Sequence, residues 1–211
     1  REPATLRSTP IRETAGPPGP RAEPEARTCL PRWRDLRGVK PEELVLDPAG
    51  SMPVGGSYYF LRFQWAPGGI PVEGASVYFR ISGGNLLQVA TTQIGDLRLD
   101  LAPAIGPDTA WQILAGYLGE SLTARDEVLE PGRLVLLPVT PQGMDPERFE
   151  GAFGAQIGYR LCYRLAFRRP GVIGTWEALV DAHTGELLRF ADTNDYGTVR
   201  GTLYANDGQT N

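Results

Sequence analysis

A chain of 211 residues holds one medium domain or two small ones, each with a core of its own. Hydrophobic residues at 41% and charged residues at 22% mark a folded protein rather than a wholly disordered one. The net charge of -4 comes without a basic stripe, which argues against nucleic acid as a partner, and no apolar run is long enough to span a bilayer.

The chain opens on Arg1-Glu2-Pro3 rather than on Met and an apolar signal core, so a signal peptide has been removed or the sequence trimmed. Residues 1–28 contain no aromatic residue, and their six prolines recur among Arg and Glu. Such a stretch buries too little surface to offset its ordering entropy, and residues 1–30 are expected to form an extended or disordered leader.

From Tyr58 the pattern changes to strands. Residues 58–65 are rich in aromatics and end at the turn signal Pro67-Gly68-Gly69. A strand is predicted over 72–81, with Val77 and Phe79 on one face and Tyr78 and Arg80 on the other. Gly83-Gly84-Asn85 marks a tight turn, and residues 86–90 return as a third strand. After the breaks at Pro103 and Pro107, Ala110, Ile113, Leu114 and Tyr117 recur at helical spacing. Asp108 or Thr109 is the predicted N-cap and Gly119 the stop.

Three further strands follow. Residues 133–137 end at Pro138, and 159–167 alternate cleanly, with Tyr159, Leu161, Tyr163, Leu165 and Phe167 on one face. The last, 175–180, turns through Asp181-Ala182-His183-Thr184-Gly185 and returns over 186–190, with Gly185 expected at positive φ. The segment 140–158 is a long connection.

Gln64, a short spacer, Gly69-Ile70-Pro71-Val72, a variable residue and Gly74 leading into a strand resemble the fungalysin/thermolysin propeptide motif. Downstream, the helix, the Leu-Val-Leu-Leu-Pro strand and Tyr159–Leu165 look like a PepSY domain, closed by the hairpin from Trp176 through Asp181 and Gly185 to Leu188. The resemblance covers roughly residues 58–192, and the loop before Tyr159 is longer than the family pattern. The two modules occur in this order in propeptides of secreted thermolysin-like and fungalysin-like zinc proteases. The motif's roles are structural: Gly69 and Gly74 allow sharp turns around an extended Ile-Pro-Val unit, and Pro71 suits a strand start or edge.

The chain has one histidine, His183, whereas a zinc protease of this type needs two at i, i+4 with a glutamate between them. His183 reads as a turn residue, and no nucleophile elbow is present. No cofactor is expected in this chain, and zinc only in the partner. Cys29 and Cys162 lack metal-ligand spacing; in an exported protein they would form a long-range disulfide worth about 4 kcal/mol, and otherwise they are two separate thiols. Cys29 also stands in an Arg-Thr-Cys-Leu-Pro context that resembles, in part, the cysteine switch of matrix metalloprotease propeptides.

The expected architecture is α+β: a propeptide-like module over 31–100, a PepSY-like module over 101–192, each an antiparallel sheet with helical cover, and a tail over 193–211. The resemblance implies a non-catalytic prodomain, secreted, periplasmic or at the cell surface, that folds and inhibits a zinc metalloprotease in cis or in trans. The alternatives are a free-standing PepSY-type inhibitor or binding module, and the front of an enzyme whose catalytic part lies beyond Asn211. In the prodomain reading the tail approaches the protease cleft, with Asp192 or Asp195 near the zinc and Val199 and Leu203 in an extended strand; a plain linker, or the first strand of the mature enzyme, is the competing role.

Overall fold

The alternating segments form two antiparallel sheets in the computed structural model, which describes residues 26, 39–54, 58–82, 85–140 and 157–194. The first sheet holds β1 (Leu44–Leu46), β2 (Met52–Val54), β3 (Tyr58–Trp65), β4 (Ser76–Ser82) and β5 (Asn85–Thr92). β3, β4 and β5 make a meander, and the two short strands share the other side of β3. The second sheet runs β6 (Glu127–Val139), β7 (Gly158–Arg168), β8 (Trp176–Asp181) and β9 (Leu187–Asp192) in chain order. The expected α+β architecture of two sheets with helical cover is therefore present.

The helix α1 (Pro107–Leu118) lies against β6, β7 and β8. Its N-cap is Gly106 rather than Asp108 or Thr109, because Pro107 takes the first helical position, where its fixed φ is favourable and its missing N–H costs nothing. Gly119 ends it at φ 75°. β6 is longer than the sequence suggested and passes through both Pro131 and Pro138. It borders the sheet, and a register shift beside Pro131 accommodates the residue without an N–H.

One contiguous core joins the two sheets. Leu61, Phe63 and Trp65 of β3 and Val77, Phe79 and Ile81 of β4 meet Leu161, Leu165 and Phe167 of β7 and Ala110 and Leu114 of α1 within a single cluster. Each of the larger side chains among them contributes on the order of 1.5–3 kcal/mol by leaving water. The seam between the sheets is aromatic: Trp65 meets Tyr159 edge-on at 5.6 Å. The Tyr159 hydroxyl donates to the Gln93 carbonyl at 3.1 Å and accepts from Gly95 N–H at 2.6 Å, and burial pushes its pKa up to about 12. It therefore stays protonated and holds the connection between the sheets against their core.

Candidate functional site

The motif loop sits at the junction. A 3-10 turn at Pro67–Gly69 leads into the extended Ile70-Pro71-Val72 unit. The strand predicted to begin at Val72 begins at Ser76, because Val72 has left the first sheet for the second. It forms a parallel bridge with Leu136: Leu136 N–H donates to the Pro71 carbonyl at 2.9 Å, and Glu73 N–H donates to the Leu136 carbonyl at 2.8 Å. Val72 N–H itself donates to the Trp65 carbonyl at 2.9 Å, so the Pro71-Val72-Glu73 segment is bonded to both sheets, Val72 to the first and its two neighbours to the second. Pro71 contributes the carbonyl that β6 needs and has no N–H to satisfy. Gly74, at φ 69°, then reverses the chain into β4 through a conformation that side chains disfavour.

Docking Val72 carries Glu73 onto the outer face of the second sheet, opposite the main core. There it closes a ring of four charges. Its Oε2 lies 2.6 Å from Arg164 Nη2 of β7, and its Oε1 lies 2.8 Å from Arg189 Nη1 of β9. Glu177 of β8 completes the ring, 2.6 Å from Arg189 Nη2 and 3.3 Å from Arg164 Nε, the latter an ion pair without an aligned hydrogen bond. Partial burial works to raise the Glu73 pKa, but Arg189 and Arg164 outweigh it and hold the carboxyl below its usual value. Burial likewise opposes the charge on Arg189, and Glu73 and Glu177 more than offset it. Each acid bridges both guanidinium groups, so the ring ties three strands of one sheet to a loop of the other.

Beneath the ring lies a second, small apolar cluster of Val135, Cys162 and Leu179. Cys162 lies on the face of β7 opposite the main core and is fully buried there. Its thiol is free, its Sγ lies 3.6 Å from the Arg160 carbonyl, and burial and then the nearby Asp181 push it up to about 12. No thiolate is available there at neutral pH. Cys29, its predicted partner, lies outside the described residues.

The closing hairpin follows the sequence expectation. Asp181 accepts from the N–H groups of His183 and Thr184, both at 2.8 Å, and Gly185 turns the chain at φ 75°. His183 Nε2 lies 3.1 Å from the Ala102 carbonyl, which fixes the turn to the segment before α1. Trp176 stacks on Phe190 with centroids 5.4 Å apart and, with Leu187, packs against the core. Gln64 is exposed on β3, between Val45 and Ser76. Asp192 accepts from Thr175 and Asn194 N–H groups at 2.9 and 3.0 Å and so closes the end of the hairpin. Asp195, Val199 and Leu203 lie outside the described residues.

Sequence reasoning missed Glu73, Arg164, Glu177 and Arg189 as a unit. Arg164, Glu177 and Arg189 stand in the expected strands, but nothing local announces a partner 91 residues away from Arg164. Among the described residues no group of three or more His, Cys, Asp or Glu side chains could hold a metal ion, and no helix is long and apolar enough to cross a membrane.

No protein-family model matches the chain, and no curated protein matches it. Among solved structures it is similar to the Bacillus megaterium YpeB C-terminal domain, with 15% identity and a TM-score of 0.37 over 89% of this chain and 70% of that one. A likeness this slight carries no argument about function.

Proposed function

We propose that this chain is a non-catalytic prodomain that assists the folding of a secreted zinc metalloprotease and then inhibits it. The observation that supports this reading is the use made of the propeptide-like motif. Its Pro71, Val72 and the adjoining Glu73 lock the two sheets into one body through a backbone bridge, a shared core and a ring of ion pairs. A folding template must keep its own shape while its partner has none, and a lock between sheets serves that need. The charges gathered here face one another rather than an open cleft, as in a protein that works through its surface. A template complementary to the native-like protease lowers the barrier to folding, and the same surface then occludes the cleft.

Thermolysin is the probe for the inhibitory half of the proposal. Residues 1–211, titrated into a peptide-hydrolysis assay, are expected to inhibit with a constant below about 1 μM, or roughly 8 kcal/mol of binding. Undiminished hydrolysis at about 100 μM chain would overturn the proposal.

A further inference from the structure

The connection between β7 and β8 has a base and a tip of opposite character. At the base, Arg168 Nε donates to Thr175 Oγ1 at 2.9 Å, Thr175 N–H donates to Asp192 Oδ1 at 2.9 Å, and Thr193 N–H donates to the Thr175 carbonyl at 2.8 Å. Arg169 pairs with Asp126 at 3.1 Å and with Glu120. Gly174 turns at φ 151°, where a Cβ would come within 3.0 Å of the Trp176 indole. Val172 N–H donates to the Arg169 carbonyl at 3.2 Å, closing a turn that leaves the Val172 and Ile173 side chains outside.

Those side chains are apolar. Val172 is 48% and Ile173 82% exposed. A turn needs neither, since polar residues and glycine close turns at lower solvation cost. The strand register brings more apolar surface to the same end of the sheet: Val128 pairs with Phe167, and Phe167 with Trp176. Val128 and Leu129 are 48% and 38% exposed there. A rigid base under an exposed β-branched tip matches the design of a binding loop, because little ordering entropy is left to lose on contact.

The same end of the sheet is where the chain departs. Trp176 pairs with Asp192, and Asn194 lines a cleft together with Glu127, Val172 and Gly174. Asn194 therefore lies beside the apolar tip. Under the prodomain reading, on which this inference rests, the protease catalytic domain follows and is held near this end at high effective concentration.

We propose that Val172 and Ile173, flanked by Val128 and Leu129, are the anchor by which this chain grips the catalytic domain of its protease. A few fully desolvated side chains near the centre of an interface carry most of its binding energy.

The test uses residues 1–211 carrying Val172→Asp and Ile173→Asp, assayed against thermolysin beside the unaltered chain. The inhibition constant is expected to rise at least about 30-fold, with the melting temperature nearly unchanged because both side chains face solvent. Leu87→Asp, on an exposed strand position far along the other sheet, serves as the control and should leave the constant unchanged. Should the double variant melt early, Ile173→Ala, which removes only the tip, carries the same test with a rise of about 10-fold. Equal inhibition by variant and unaltered chain would overturn the anchor while leaving the prodomain reading intact. An unaltered chain that does not inhibit overturns that reading and the anchor with it. Loss of self-association in the variant, with inhibition unchanged, would assign the patch to contact between copies and also overturn the proposal.

Discussion

Val72→Asp is expected to leave the protein without a cooperative fold at 25 °C. Val72 is completely buried in the middle of the segment whose backbone is bonded to both sheets. The substitution loses roughly 2 kcal/mol of apolar burial. It also places a carboxylate in the joint core, where desolvation without a partner costs several kcal/mol more. Domains of this size have about 5–15 kcal/mol in total, so the two effects together exceed a stability in the lower part of that range. The thermal unfolding transition and the near-ultraviolet signal of the aromatic seam should both disappear. Val72→Ala, which keeps the strand bridge and removes two methyl groups, should retain a transition lowered by about 2 kcal/mol. A Val72→Asp protein melting within a few degrees of the unaltered chain would mean that the motif loop does not hold the sheets together.

Arg164→Ala should cost about 2–3 kcal/mol at neutral pH, measured by chemical denaturation. Breaking a fully buried pair costs 3–5 kcal/mol, and the partial exposure of this ring reduces that figure. With Arg164 gone, Glu73 and Glu177 share Arg189 alone. The effect has a pH signature whose sign is fixed. The Glu73 carboxyl is held below its ordinary value of 4.5 in the folded state, so its contribution is fully present above that value and is lost as pH falls through the lower folded value. The gap between unaltered and Arg164→Ala proteins should therefore narrow as pH is lowered from 7 toward 3. Glu73→Gln should remove part of the acid sensitivity of the unaltered chain. A gap that stays constant with pH would show that Arg164 stabilises through packing of its stem rather than through charge.

Much of this fold can be read from local pattern. The alternation over 159–167 placed its buried face correctly, and Asp181 and Gly185 announced their hairpin because the turn conformation depends on those two residues themselves. Gly119 stopped the helix for the same local reason. What could not be read depends on distant parts of the chain. Val72 reads as the first residue of a strand, yet it forms only an isolated bridge, with Leu136 of the other sheet, and no periodicity encodes that choice. Glu73 occupies the variable position of the motif and acquires its role only when docking brings it to Arg164 and Arg189. Cys162 alternates with Arg160 and Arg164 along its strand, yet Val135 and Leu179 bury it from the strands on either side. β1 and β2, three residues each, are too short to show any period.

The refolding of a denatured protease tests the central claim most directly. Mature thermolysin, unfolded in guanidinium and diluted into buffer alone or with equimolar residues 1–211, separates a folding template from a passive binder. The account predicts that the chain raises the yield of native enzyme several-fold, and that this enzyme stays silent until the chain is removed. Equal yields with and without the chain, or recovered enzyme that is active while the chain is still present in excess, would contradict it.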